Sequence, residues 1–327
     1  MKKRTLGANG PEVSAIGLGC MAMSEFYGES DEAAAKRVIS AALERGITML
    51  DTADTYGFGH NEKLIADALK EWSGEVFVAT KFGIVRKPGQ YERSICGRPG
   101  YVRQAAEASL RRLGRETIDL YYIHRIDTDV PIEDTVGAMS ELVREGKIRY
   151  IGVSEPAVET VRRAHVVHPV AAVQTEYSLW TRHVEQQLFP TLRELGIGFV
   201  PYSPLGRGFL TGKLDAEALE PDDFRRLMPR AQGENLLHNL RLVQKIKPIA
   251  DDKGITLAQL ALAWLLSKGE DIIPIPGTRR LAYLEENLAA VEVRLSQEEI
   301  EAIDAIFSPQ AVQGERYPKA GMVGIDG

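Results

Sequence analysis

The chain has 327 residues, of which 44% are hydrophobic and 26% are charged, and its net charge is −6. This is the composition of a globular protein, and its mild acidity excludes a global field that would attract nucleic acid or anionic lipid. No apolar run approaches the ~18–20 residues that span a bilayer, and polar residues interrupt the N-terminus before a secretory signal could form. We therefore expect a cytoplasmic protein with no membrane and no nucleic-acid partner.

Short β-rich segments alternate with amphipathic stretches along the chain. A hairpin is predicted first, with strands at Arg4–Leu6 and Glu12–Val13. Strand-like segments follow at Ala15–Gly19, Thr48–Leu50, Val76–Thr80, Leu120–Ile123, Ile148–Val153, Ala171–Gln174, Gly198–Tyr202 and Ile272–Ile275. Between them, apolar residues at three- and four-residue spacing predict helices at Asp31–Arg45, Asn61–Trp72, Pro99–Leu113, Ile132–Arg144, Val158–Ala164 and Val184–Leu195. Ser30 is expected to cap the first helix.

The number of strand–helix repeats decides the fold class. Eight repeats favour a closed barrel, since an open doubly wound sheet more often has about five or six strands. We predict an α/β fold in which residues 1–327 form a single (β/α)8 TIM barrel, with an N-terminal hairpin at 1–14 and a tail at 308–327. Two long segments, Phe82–Arg98 and Pro204–Glu234, follow strands, so they are expected on the C-terminal face, where loops carry function. The tail could fold over the same face or be disordered.

A glycine motif near the N-terminus offers an alternative. Gly17-Leu18-Gly19-Cys20-Met21-Ala22 fits the G-x-G-x-x-A pattern of a dinucleotide-binding fold. However, no helix opens on it, and no acidic residue closes a second strand about 20 residues further on. We interpret these glycines as residues that let the chain turn at a strand end.

Polar residues that stand directly after the predicted strands form the candidate site: Asp51, Lys81, His124, Ser154, Gln174, Tyr202, Ser203 and Gly277. In a barrel these positions converge on one rim, and Tyr56 can fold back over it. A lysine ammonium favours the phenolate of a tyrosine, a carboxylate holds that lysine charged, and an imidazole serves the same oxygen. This combination suits protonation of a carbonyl oxygen. It contains no metal ligand set and no nucleophile, so the electrons must come from a cofactor.

Each of these residues also has an ordinary structural interpretation. A strand-end Lys or Asp usually forms an ion pair, a buried His is usually satisfied within the core, and a lone Tyr packs. The combination at four rim positions favours catalysis, provided that the barrel forms.

Several segments resemble the aldo-keto reductases: Asp51-Thr-Ala-Asp-Thr-Tyr56-Gly, Leu120-Tyr-Tyr-Ile-His124, Gly146-Lys-Ile-Arg-Tyr-Ile-Gly152-Val-Ser154, Gln174-x-Glu-Tyr177-Ser178, Pro201-Tyr-Ser-Pro-Leu-Gly206-Arg-Gly208 and Ile275-Pro-Gly277-Thr278-Arg279. They run in the expected order over nearly the whole chain. Within the family, His124-Arg-x-Asp127-x-x-Val-Pro131-Ile-Glu133 is similar to the branch of bacterial, plant and fungal reductases that includes perakine- and pyridoxal-reductase-like proteins.

The resemblance implies a barrel that binds NADPH across its C-terminal rim, with no metal. Tyr56 would be the general acid, Lys81 and Asp51 would tune its pKa, and His124 would orient the carbonyl. The cofactor positions implied are Ser154 and Gln174 for the nicotinamide carboxamide, Tyr202 for stacking, Ser203, Leu205, Gly208 and Leu210 for the pyrophosphate, and Gly277, Thr278, Arg279, Glu286 and Asn287 for the adenosine end. There Arg279, with Arg280, would pair with the 2′-phosphate.

Two positions depart from the family pattern. Glu155 stands where many members have Asn, which puts one hydrogen bond to the carboxamide in doubt. Tyr283 stands where a Gln or Arg often supports the 2′-phosphate or the adenine. The preference for NADPH over NADH therefore rests on Arg279 and Arg280.

The expected function is NADPH-dependent reduction of an aldehyde or ketone to the alcohol. One alternative is an NADPH-sensing regulatory or binding subunit with little turnover. Another is an isomerase or lyase with a Schiff base on Lys81, which the neighbouring Asp51 disfavours.

The expected partner is a small-molecule carbonyl substrate. The sequence specifies neither the identity of this substrate nor the oligomeric state. Tyr27, Trp180 and the tail around Tyr317 are expected to shape the pocket. Arg125 could face an anionic substrate, but we favour a rim carboxylate as its partner.

Overall fold

A parallel sheet that curls into a ring organises the chain. The computed structural model describes residues 1–25, 31–87, 92–214, 219–220 and 223–326. Its strands are β1 (Lys3–Thr5), β2 (Glu12–Ser14), β3 (Leu18–Gly19), β4 (Met49–Asp51), β5 (Phe77–Phe82), β6 (Ile84–Arg86), β7 (Arg93–Ile95), β8 (Ile118–Ile123), β9 (Ile148–Ser154), β10 (Val170–Glu176) and β11 (Gly198–Tyr202). Strands β1 and β2 form the predicted hairpin, β6 and β7 form a second hairpin, and the parallel sheet has the order β11-β10-β9-β8-β5-β4-β3.

The last predicted strand closes the ring without forming a regular strand. Residues 272–277 are extended between β11 and β3, with backbone hydrogen bonds of 2.9–3.3 Å from Ile273 to Phe199, from Ile275 to Pro201, from Gly17 to Pro274 and from Gly19 to Pro276. Since Pro274 and Pro276 have no N–H, the edge that faces β3 can only accept hydrogen bonds. The strand predicted at Ile272–Ile275 is therefore irregular, but the α/β TIM barrel is confirmed.

The two glycines of β3 and its flank serve this closure. A Cβ on Gly19 would lie 2.7 Å from the carbonyl oxygen of Ile275, and one on Gly17 would lie 2.9 Å from that residue's Cγ2. Neither glycine has a positive φ. Their interpretation as turn residues is therefore wrong: they allow two backbones to approach closely.

Helices alternate with the strands and cover the outside of the ring. They are α1 (Glu32–Glu44), α2 (His60–Leu69), α3 (Pro99–Leu113), α4 (Ile132–Arg144), α5 (Val158–Val167), α6 (Leu188–Leu195), α7 (Gly233–Lys245), α8 (Lys247–Asp252), α9 (Leu257–Ser267), α10 (Leu281–Ala289) and α11 (Gln297–Ile306). Short 3-10 turns at Tyr56–Gly59 and Gly206–Thr211 lie near the rim. The cap of α1 is Asp31, whose carboxylate accepts from the N–H groups of Ala33 and Ala34, rather than Ser30, which lies outside the described residues.

Alternation along the strands separates two cores. In β8, Tyr121 and Ile123 face the helices, whereas Leu120 and Tyr122 point into the barrel. The N-terminal hairpin contributes Leu6 to the interior cluster. Within the described ranges, no helix is both long and apolar enough to span a membrane.

Candidate active site

The alternation that fills the barrel interior also positions the site. Asp51, Lys81 and His124 each stand two residues beyond a buried interior residue, namely Met49, Ala79 and Tyr122. Because side chains two apart share a face of a strand, all three polar groups continue the interior column at its C-terminal end. The predicted convergence on one rim follows from this register.

A buried ion pair lies at the base of the site. Lys81 Nζ donates to a carboxylate oxygen of Asp51 and to the carbonyl oxygen of Thr52 at 2.7 Å. Gln174 Nε2 donates to the other Asp51 oxygen at 2.8 Å. Burial lowers the pKa of Lys81 and raises the pKa of Asp51, while the attraction between the two groups opposes both shifts. The pair is therefore oriented from two sides and shielded from water.

The Tyr56 ring lies between this lysine and the histidine. Lys81 Nζ is 5.3 Å from the ring centroid, and the His124 ring meets it edge-on at 5.8 Å. The turn that carries Tyr56 is held by Arg86, which donates to Thr55 Oγ1 at 2.9 Å and to Thr55 O at 2.8 Å and pairs with Glu25. Neither Arg86 nor Glu25 could be predicted from the sequence, because both are distant from Tyr56 along the chain.

His124 is uncharged near neutral pH. Burial lowers its pKa well below the usual value, and the positive charges of Arg125 and Lys81 act in the same direction. Its Nδ1 is buried and has no hydrogen-bond partner among the described residues. A neutral imidazole can donate one N–H to a carbonyl oxygen without acting as a proton source.

A cavity of about 530 Å³ opens at this rim. Its lining includes these candidate residues: Asp51, Tyr56, His124, Ser154, Gln174, Tyr202, Ser203, Leu205, Gly208, Gly277, Thr278, Arg279, Glu286 and Asn287. Lys81, which pairs with Asp51, does not itself line the cavity. Leu210, expected at the pyrophosphate, is not part of the lining, because its side chain is completely buried in the core.

Ser154 and Glu155 face different environments. Ser154 lines the cavity, and its buried Oγ has no hydrogen-bond partner within the described residues. Glu155, at φ +55°, turns away and accepts from Arg316 Nη2 at 2.7 Å and from the N–H of Glu176 at 3.0 Å. The departure from Asn at this position is thus part of a buried ionic cluster.

The far end of the cavity is positively charged. Arg279 and Arg280 line it together with Arg225, a residue that sequence reasoning missed. Burial lowers the pKa of Arg279, and the charges of Arg225 and Arg280 add to this effect. Tyr283 lies beneath Arg280, with the guanidinium carbon 5.4 Å from the ring centroid.

The tail closes over the opposite end. Tyr317 lines the cavity, and its hydroxyl is 2.9 Å from the hydroxyl of Tyr202. Asp326 accepts from the N–H of Ala157 at 3.0 Å, which fastens the tail to the start of α5. Trp180, expected as a pocket wall, is instead buried against Phe209 and does not line the cavity. Tyr27 lies outside the described residues.

Comparisons with known proteins agree with the barrel fold. The model described as the aldo/keto reductase family matches residues 15–308. The chain is 48% identical over 314 residues to a probable aldo-keto reductase 1 of Glycine max, covering 95% of this chain and 90% of that protein. A solved glycerol dehydrogenase from Gluconobacter oxydans has a TM-score of 0.85 at 31% identity, covering 94% of this chain and 96% of that one. The holo form of an aldo-keto reductase from Bacillus halodurans has a TM-score of 0.76 at 28% identity, covering 98% and 99%.

Proposed function

This chain belongs to the aldo/keto reductase family, and we propose that it is an NADPH-dependent reductase that converts an aldehyde or ketone to the alcohol. Membership of the family makes it an oxidoreductase that acts on carbonyl compounds. The observation that carries the finer proposal is the position of Tyr56 at the cavity, between Lys81 and His124. A phenol in this position can protonate a carbonyl oxygen as it becomes an alkoxide.

The residues at the rim fit the nicotinamide end of the cofactor. The unpartnered Oγ of Ser154 supports a hydrogen bond to the carboxamide. Gln174 uses its Nε2 on Asp51, so its Oε1 would accept from the carboxamide N–H₂. The ring of Tyr202, held through its hydroxyl by Tyr317, would stack on the nicotinamide. When bound, NADPH supplies the hydride that the carbonyl carbon receives.

The cationic end of the cavity fits the phosphates. Ser203, Leu205 and Gly208 lie along the lining after β11, where they would follow the pyrophosphate. Arg279 and Arg280 would pair with the 2′-phosphate, which distinguishes NADPH from NADH. This is the physical basis for proposing NADPH.

Each catalytic residue has one task in this proposal. Tyr56 donates its hydroxyl proton to the carbonyl oxygen, and the nearby charge of Lys81 stabilises the phenolate that remains. Asp51 keeps Lys81 charged and oriented. His124, being neutral, donates a hydrogen bond that orients the carbonyl without competing as a proton source.

The Tyr56→Phe variant tests the proposal. NADPH oxidation with an activated aromatic aldehyde should fall by about 10²–10⁴-fold, since general acid catalysis contributes about that much. The affinity for NADPH, followed by fluorescence, should stay unchanged. Tyr150→Phe is a matched control, because this ring packs against Phe77 and does not line the cavity. Full activity in Tyr56→Phe would show that the proposed acid is wrong.

A further inference from the structure

Arg125 stands next to His124 and is almost completely enclosed. It follows β8, its side chain lines the cavity, and only 5% of the residue is exposed. Arg93 lines the same region and donates from Nη2 to the carbonyl oxygen of Gly321. The end of the cavity that is lined by Tyr56 and His124 therefore also carries positive charge.

The hydrogen bonds of Arg125 are incomplete. Its Nη1 donates to the carbonyl oxygen of His124 at 2.8 Å, while its Nε is buried and has no acceptor among the described residues. In those parts of the chain it forms no ion pair with a carboxylate. Glu155 is close enough to act electrostatically, but its Oε1 accepts from Arg316. The rim carboxylate expected from the sequence therefore has another partner.

A buried cation without an ion-pair partner is costly. A charged group enclosed by protein loses its hydration, and such groups are normally paired or bound to a ligand. The Nε of Arg125 is a donor left without an acceptor, and a guanidinium donates in a fork geometry that matches the two oxygens of a carboxylate. The missing partner is therefore of anionic, carboxylate-like chemistry.

The cofactor phosphates are not that partner in the proposed binding mode. Their residues follow β11 and the closing segment at 272–277, whereas Arg125 follows β8. In the sheet, β9 and β10 lie between β8 and β11. The anion must therefore belong to the molecule that is reduced.

We propose that the substrate is a carbonyl compound that bears a carboxylate, and that Arg125 binds this carboxylate. This inference rests on the proposed reductase function. Tyr56 and His124 then hold the carbonyl group at the same end of the cavity. Arg125 is in this view the residue that determines specificity for charged over neutral carbonyl compounds.

The wild-type protein provides the first test. Initial rates with NADPH are measured for 3- and 4-carboxybenzaldehyde and for their methyl esters, in which a methyl group replaces the negative charge of the acid. We expect kcat/KM for at least one acid to exceed that of its ester by about tenfold or more, as a charge-assisted hydrogen bond allows. Added salt should reduce this preference.

The variant Arg125→Met isolates the residue. It should lose about ten- to a hundredfold in kcat/KM for the acid, mostly through KM, and little or nothing for the ester. Arg103→Met is the control, because Arg103 pairs with Glu145 and Glu141 on the surface, and should leave both rates unchanged.

The outcomes separate the two proposals. No preference for the acids in the wild type, or an equal loss on acid and ester in Arg125→Met, would overturn the role of Arg125 while leaving the reductase activity in place. A protein that reduces none of these aldehydes would overturn the proposed function and the inference with it. The wild-type ratio does not depend on the folding of any variant.

Discussion

Asp54 lies in the sequence between Asp51 and Tyr56, two of the proposed catalytic residues, and we expect it to make the stability of the protein depend on pH. Asp54 is half-buried, and its Oδ1 is enclosed and has no hydrogen-bond partner among the described residues. Burial, with a smaller contribution from the negative charge of Glu62, raises the pKa of Asp54 to about 8. The folded protein therefore holds this proton far more tightly than the unfolded chain does.

The sign and size of the effect follow from linkage. An aspartate in an unfolded chain has a pKa of about 3.9, and the difference from about 8 in the folded protein corresponds to several kcal/mol. Because the pKa of the folded state is raised, the stabilising contribution is fully present below about pH 4. It is lost progressively as the pH rises from there through about 8.

The Asp54→Asn variant removes this titration while keeping the shape of the side chain. Urea unfolding of wild type and variant is compared at about pH 5, 7 and 9, and the stability of the variant relative to wild type should rise by several kcal/mol over that interval. Asp252→Asn, at the exposed end of α8, is the control and should show no such trend. A difference between Asp54→Asn and wild type that stays constant with pH, or that falls as pH rises, would refute the reasoning.

Two further variants test the positively charged end of the cavity and the buried ion-pair cluster around Glu176. Arg279→Leu should raise KM for NADPH by about tenfold or more while leaving KM for NADH unchanged, and steady-state kinetics with both cofactors would check this. Glu176→Gln should lower the free energy of unfolding by about 3–5 kcal/mol, measured in urea, because buried arginines would lose their carboxylate. Burial disfavours the Glu176 carboxylate, but surrounding arginines, above all Arg207, hold its pKa at about 2. Its stabilising contribution is thus present above about pH 4 and is lost as the pH falls through 2.

The barrel and its rim could be predicted from the sequence because both depend on local periodicity. Strands that alternate in the interior place Asp51, Lys81 and His124 on one face, and a parallel sheet brings their ends together. Helices α3 and α4 have the predicted bounds, since their apolar spacing and their end signals agree. The closing segment at 272–277, with prolines at alternate positions, does not form a regular strand. Only its backbone hydrogen bonds to β11 and β3 identify it as part of the barrel.

The contacts that support the site could not be predicted, because they join distant parts of the chain. Arg86, at the end of β6, and Glu25, in the segment after β3, hold the turn of Tyr56 from two separate parts of the chain. Tyr317 reaches Tyr202 from the tail, and Arg225 lines the cavity beside Arg279 and Arg280, far from them in the sequence. Trp180 shows the converse error, since an aromatic residue near the rim can equally belong to the core.

Both ends of the cavity are rich in positive charge. The chain carries a net charge of −6, yet cationic side chains outnumber carboxylates in the lining: Arg86, Arg93, Arg125, Arg207, Lys213, Arg225, Arg279 and Arg280 against Asp51 and Glu286. The rest of the chain therefore carries the net negative charge. A cleft with low-dielectric walls concentrates the field of its own charges, so the cavity can attract anions although the chain as a whole is acidic. In the proposed reaction both ligands are anionic, the cofactor through its phosphates and the substrate through its carboxylate. Separate cationic regions, with Tyr56 and His124 beside the second, let both bind without competing for the same charges.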